Sequence, residues 1–208
     1  QDIICLGINY ADHAVESARF HEQSFLLNRK KATYFSKRAY ETIGSGDPIP
    51  SYEGLVTELD YEVELGVVIG KDCKKVSENE APNYIFGYTI VNDVSARNLQ
   101  TEHNQWYFGK SLDGFAPMGP CIVTADEIAF PPALDISSTV NGELRQNSNT
   151  DHLLHSVAEI ISELSQGMTL RAGTIIATGT PAGVGMGFTP PRFLKKGDVV
   201  SCEIEGIG

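Results

Sequence analysis

Long apolar runs are missing from this chain of 208 residues. Gly66, Gly70, Gly87 and Gly179 break its hydrophobic stretches short of the ~18 residues a membrane-spanning helix needs. Cationic residues are scarce too: 16 Lys and Arg stand against 27 Asp and Glu, a formal net charge of −11. A surface of that sign repels phosphate backbones and anionic lipid, so neither nucleic acid nor a membrane is expected as a partner. Cysteine is sparse and scattered. Cys5, Cys73, Cys121 and Cys202 form no C-x-x-C pair and have no histidine at zinc-finger spacing, which argues against a cysteine zinc site. Each lies in or beside an apolar stretch, as small buried hydrophobes do in a reducing compartment, and a cytoplasmic location is expected. Gln1 opens directly into the apolar segment 3–8, with no basic stretch or cleavage pattern to mark a targeting segment.

What is present suffices for a core. Hydrophobic residues make up 41% of the chain, and at this length about 70% of the unfolded surface can be buried without a disulfide or metal staple. One domain over residues 1–208 is the default expectation. Strands are read at 3–8, at 58–70 with Tyr61, Val63, Leu65, Val67 and Ile69 on one face, and at 84–91, 174–177 and 199–204. Brief helices are read at 9–16 and 93–100, and residues 17–32 as a surface connection. Turn residues between 34 and 50 leave room for loop and short strand. Asn141-Gly142 predicts a type I′ hairpin turn. One longer helix is predicted from about Asp151 to Gln166, capped by Thr150 and stopped by Gly167. Strands dominate without regular β-α alternation, so the expected class is α+β, mainly β, and a doubly wound parallel sheet is disfavoured.

Glu62 and Glu64 alternate onto one strand face about 7 Å apart at ~3.3 Å per residue. Either that face is solvated, or a cation lies between two carboxylates that would otherwise repel. The same face continues through Gly66 and Val68 toward buried surroundings, and oxygen ligands there would suit Mg²⁺, Mn²⁺ or Ca²⁺. Asp93 follows a buried strand and reads equally as a helix N-cap or a third carboxylate. Arg97 and Gln100 share its helical face and could hold an anion. His13 and Glu16, three apart, make either a general-base pair or an incidental surface pair. Lys110 has no role assignable from periodicity. The glycine-rich segment 179–187 lacks the endings of a phosphate loop and reads better as a close-approach loop, whose N–H groups and Thr180 could meet a substrate carboxylate.

Six segments, in order along essentially the whole chain, resemble the fumarylacetoacetate hydrolase family in its catalytic-domain form. They are Gly7-Ile8-Asn9-Tyr10-Ala11-Asp12-His13 with Glu16, Leu59-Asp60-Tyr61-Glu62-Val63-Glu64-Leu65, Asn92-Asp93-Val94-Ser95-Ala96-Arg97-Asn98-Leu99-Gln100, Gly109-Lys110-Ser111, Val140-Asn141-Gly142-Glu143 and 178–185. The resemblance implies a mixed β-roll fold and a homodimer. It also implies Mg²⁺ or Mn²⁺ on Glu62, Glu64 and Asp93, and a lid carrying His13 and Glu16 to activate water. Lys110 would then stabilise negative charge, and Arg97, Gln100 and Thr180 would hold a 2-oxo acid substrate. Hydrolytic C–C cleavage of acylpyruvate-like 2,4-dioxo acids is the first activity it implies. Decarboxylation, of oxaloacetate for example, or isomerisation of 2-oxo (2-hydroxy-dienoate) dicarboxylic acids of aromatic catabolism is the alternative, since all pass through an enolate. Residues 22–31 do not align with the family pattern, and relatives continue beyond Gly208 into one more strand.

Overall fold

A computed structural model describes residues 2–20, 31–103 and 105–208. In chain order the elements are β1 (Asp2–Leu6), α1 (Ala11–Phe20), β2 (Tyr34–Arg38), β3 (Leu59–Asp60), β4 (Val63–Ile69), β5 (Ile85–Asn92) and β6 (Ser95–Ala96). They continue with α2 (Arg97–Glu102), α3 (Tyr107–Lys110), β7 (Met118–Thr124), β8 (Asp135–Val140), β9 (Glu143–Asn149), α4 (Val157–Gly167), β10 (Ile175–Ala177) and β11 (Val200–Ile204). A six-stranded sheet has the order β2-β1-β10-β4-β5-β7, a three-stranded sheet the order β11-β8-β9, and β3 pairs with β6. Among the described residues, only β1 and β10 pair in parallel; every other ladder is antiparallel. No helix among the described residues is long and apolar enough to cross a membrane.

The period of two is what builds the core. Val63, Leu65, Val67 and Ile69 enter one apolar cluster with Ile136 and Ile204 of the three-stranded sheet and with Val157, Ile160, Ile161 and Leu164 of α4. Each such side chain contributes roughly 1.5–3 kcal/mol on full burial. The opposite sheet face is covered as well, by a smaller cluster containing Cys5, Val91, Ala116 and Ala177. All seven residues of β4 are therefore buried, which rules out a solvated face for Glu64.

Several boundaries differ from the sequence expectation. The strand expected over 58–70 is broken at Tyr61–Glu62, and its first part pairs with β6 instead of β5. The backbone after Asp93 runs extended through β6, so Asp93 caps no helix; α2 starts at Arg97 with Ala96 as its N-cap. Helix α4 starts at Val157, not near Asp151, because Ser156 and Glu159 form a capping box while residues 150–152 make a separate 3₁₀ turn. Gly167 is the last residue of α4, and the extended Met168 ends the helix. Helix α1 continues to Phe20 where a surface connection was expected from 17, and the rest of that expectation, at 21–30, lies outside the described residues. All four cysteines are free, but only Cys5 and Cys73 are buried; Cys202 is half-buried and Cys121 exposed. The Asn141-Gly142 hairpin stands as expected, with φ of 52° and 78°.

Candidate metal and catalytic site

The β4–β5 register decides the centre of the site. It sets Val63 opposite Asn92 and Glu64 opposite Val91, so one step further along Glu62 meets Asp93, and the Asp93 N–H donates to the Glu62 carbonyl at 2.8 Å. Asn92 Oδ1 accepts the Glu62 N–H at 3.0 Å and fixes the bend that ends β4. Glu62, Glu64 and Asp93 are all buried, and one carboxylate oxygen from each lies within 4.8 Å of the others.

Three cations face this acidic group. Lys110 Nζ donates to Glu62 Oε2 at 2.8 Å and to Asp93 Oδ2 at 2.7 Å. Arg97 Nη2 pairs with Glu62 Oε1 at 2.6 Å, while its Nε donates to Asp60 Oδ2 and its Nη1 to Gln100 Oε1. Lys37, on β2, donates to Asp93 Oδ1 at 2.6 Å and to the Val94 carbonyl. Helix α3 delivers Lys110 because Gly109 has no side chain: a Cβ there would press on the Gln100 N and the Ala96 carbonyl of the neighbouring backbone.

Protonation follows these neighbours. Burial pushes the Glu62 carboxyl up, but the charges of Lys110 and Arg97 outweigh it and hold it well below the usual carboxylate range. Burial with the charges of Asp93 and Glu62 raises Glu64 well above that range. Burial lowers Lys37 despite the attraction of Asp93, whereas in Lys110 the charges of Asp93 and Glu62 win over burial and raise it.

Glu64 carries the test of metal fit. Its Oε2 accepts the Gly179 N–H at 2.9 Å, yet its Oε1 is buried with no hydrogen-bond partner. A buried acceptor left bare costs about 1–3 kcal/mol, more when charged. Glu62, Glu64 and Asp93, with no histidine or cysteine in the group, form an oxygen-only donor set that fits Mg²⁺ or Mn²⁺.

A small cavity of about 30 Å³ opens beside the carboxylates, room for a single water. His13, Glu62, Arg97, Gln100 and Lys110 line it, closed off by Phe35, Trp106 and Met186. The Trp106 ring stands edge-on to Phe35 at 5.4 Å and lies where a Cβ on Gly7 would be. His13 Nδ1 is 2.9 Å from Glu16 Oε2. Of the nine expected residues, His13, Glu62, Arg97, Gln100 and Lys110 line that space, Glu16 lies against His13, and Glu64 and Asp93 lie beside Glu62. Thr180 is the exception: its hydroxyl donates to the Val63 carbonyl at 2.9 Å and accepts from Gln146 Nε2 at 2.7 Å, so it has no proton left for a ligand.

Sequence reasoning missed Lys37, Asp60 and Gln146, all fully buried. Asp60 takes the N–H groups of Tyr61, Gly185 and Met186 in addition to Arg97, and Gln146 ties Val63 to Ser138, Thr180 and Pro181. The one available signal was alternation in Tyr34-Phe35-Ser36-Lys37, which places Lys37 on the face of the cavity-lining Phe35.

The Fumarylacetoacetate (FAA) hydrolase C-terminal family model matches residues 2–208. Oxaloacetate tautomerase YisK of Bacillus subtilis (strain 168) is 47% identical over 211 residues, covering 100% of this chain and 67% of that protein. The chain spans about two thirds of the length of the curated relatives it matches. The structure of a fumarylacetoacetate hydrolase from the psychrophilic Exiguobacterium antarcticum superimposes with a TM-score of 0.90 at 46% identity, covering 100% of this chain and 72% of that one. Fumarylpyruvate hydrolase from Pseudomonas aeruginosa, in complex with Mn²⁺ and pyruvate, gives a TM-score of 0.85 at 32% identity, with coverage of 100% and 86%. A family match across residues 2–208, carried by the same mixed sheet, means that the chain belongs to the fumarylacetoacetate hydrolase family.

Proposed function

We propose that the protein is a divalent-cation-dependent enzyme that interconverts the keto and enol forms of a small 2-oxo dicarboxylic acid of the oxaloacetate type. The observation that carries this reading is a cavity lined by His13, which Glu16 holds, together with Arg97, Lys110 and Glu62, the last of which belongs to the acidic trio. Proton transfer next to a carbonyl needs a base aimed at the carbon and positive charge at the oxygen, and those two elements face each other here. The 47% identity to an oxaloacetate tautomerase supports the substrate class.

Glu62, Glu64 and Asp93 would hold Mg²⁺ or Mn²⁺, which supplies Lewis-acid polarisation of the oxo group when bound. Arg97 and Gln100 orient the substrate through its carboxylate. His13 takes the proton from the carbon next to the oxo group through Nε2 and delivers it to the oxo oxygen, giving the enol, with the reverse transfer giving the ketone, while Glu16 holds Nδ1 and so fixes the ring. Lys110 balances the negative charge that develops on the enolate. His13 and Ser17 of α1 line the cavity, so a shift of α1 would widen it for substrate. The active form is a homodimer in the cytoplasm, an expectation that light scattering and fractionation check.

Hydrolytic C–C cleavage of acylpyruvates is the second reading, supported by the fumarylpyruvate hydrolase neighbour. There His13 would activate a water toward the distal carbonyl, and the same enolate would be the leaving group. The deciding experiment follows the enol absorbance of oxaloacetate alongside pyruvate release from acetylpyruvate and fumarylpyruvate and CO₂ release from oxaloacetate, each with Mg²⁺ and with EDTA. Metal-dependent loss of the enol signal without pyruvate or CO₂ supports the tautomerase. Pyruvate release from an acylpyruvate supports the hydrolase, and CO₂ release would move the protein to decarboxylation.

A further inference from the structure

Helix α1 is fastened to the site through one carboxylate. Glu16 Oε2 holds His13 Nδ1 at 2.9 Å, and Oε1 accepts the Gly183 N–H, also at 2.9 Å. Both oxygens are thus committed, one to the base and one to the body of the protein. The carboxylate rests directly on Gly187: a Cβ built there would overlap Oε1, Cδ and Cγ of Glu16, and these are its three nearest atoms. Gly187 ends a short 3₁₀ turn, Gly185–Gly187, and does not have a positive φ. Its backbone therefore asks nothing special of glycine; only the space above it does. The turn is held rigid from below, where Asp60 Oδ1 accepts the Gly185 N–H at 2.6 Å and Oδ2 the Met186 N–H at 3.0 Å. That same Oδ2 accepts Arg97 Nε, so the turn and the guanidinium share one anchor.

We propose that the turn from Gly183 to Gly187 is the seat on which the His13–Glu16 pair is assembled, with Gly187 as a positioning residue that acts by leaving room for the Glu16 carboxylate. The proposal rests on the reading of His13 as the proton-transferring group. On the seat, Glu16 is pinned at both oxygens and the imidazole has one direction. Off it, the carboxylate is free to rotate and hydrate, and the ring loses its aim. A methyl group at Gly187 displaces the flexible end of Glu16 and leaves the metal ligands alone.

The test compares Gly187→Ala, Glu16→Ala and the double variant in the full chain loaded with Mg²⁺. Two readouts are taken: enol-to-keto turnover of oxaloacetate, and amide hydrogen exchange of α1. Gly187→Ala is expected to lower kcat by about 100-fold, the scale of a 1 Å misplacement, with KM unchanged. Exchange along α1 should quicken while exchange in β4 and β5 stays as it is. In the Glu16→Ala background the glycine substitution should add nothing to either readout, because its only route of action is gone. Equal losses in both backgrounds would show a merely structural glycine and overturn the proposal, as would unchanged exchange in α1. A wild-type protein that leaves oxaloacetate untouched would refute the proposed function, and the exchange data alone would then decide whether the seat exists.

Discussion

Glu62 and Asp93 are joined twice at the end of the β4–β5 ladder, by the Asp93 N–H on the Glu62 carbonyl and by one Lys110 ammonium shared between their carboxylates. Without a metal, Lys110 is what keeps two buried charges together. A divalent cation on the trio, as proposed, would meet a lysine already bound to two of the three carboxylates.

Lys110→Met removes the shared ammonium and leaves its carboxylate partners short of a buried counter-charge. Breaking such a pair costs about 3–5 kcal/mol, so the thermal midpoint in EDTA should drop sharply. Saturating Mg²⁺ should recover a large part of the loss, since a ligand that binds only the folded state raises its stability. An equal drop with and without Mg²⁺ would mean that lysine and cation do not share the oxygens.

Glu64→Gln should leave the fold intact, because the amide oxygen can still accept the Gly179 N–H and the uncharged group suits a position where Glu64 is held toward its protonated form. The stabilisation by Mg²⁺ seen in thermal melts should vanish, and turnover with it. Retained Mg²⁺ stabilisation would take Glu64 out of the metal site.

His13→Ala is expected to lower kcat by about 10²–10⁴-fold, the usual worth of a positioned general base. Calorimetric binding of oxalate with Mg²⁺ should persist. A parallel loss of oxalate binding would make His13 a ligand-binding residue.

Lys37→Met tests a residue outside the carboxylate trio. Lys37 holds Asp93 Oδ1 and so leaves Oδ2 to Lys110, which also holds Glu62. Removing an outer partner of a metal ligand typically weakens metal affinity about 10–100-fold. Titration with Mn²⁺ followed by electron paramagnetic resonance measures it, and unchanged affinity would leave Lys37 a packing residue.

Local signals carried much of this molecule. Alternation in β4, the positive-φ dipeptide Asn141-Gly142 and the helical spacing of Val157, Ile160, Ile161 and Leu164 each have a short-range physical cause; the hairpin formed where it was read, while the strand and the helix formed with later starts, at Val63 and Val157. The trio of acids was legible from Glu62-Val63-Glu64 together with the family resemblance, though periodicity alone left a solvated face open. What stayed hidden depends on distant partners. Lys37 looks like any lysine of a short strand until β2 is placed beside β1 and its ammonium reaches Asp93, 56 residues away. Asp60 and Gln146 likewise bond across 125 and 83 residues, to Gly185 and Val63. Thr180, read as a ligand contact from its close-approach loop and the family resemblance, holds the Val63 carbonyl and Gln146 across 117 and 34 residues, partners no local signal shows.

Trp106, against Phe35 on the cavity wall, is the one tryptophan in the chain. Intrinsic fluorescence excited at the indole band therefore comes from a single emitter placed where ligand arrives. Entry of a carboxylate into the cavity that Trp106 lines would alter the polarity around that ring. Under the proposed function, stopped-flow emission of Trp106 would report occupancy of the cavity it lines without any added dye.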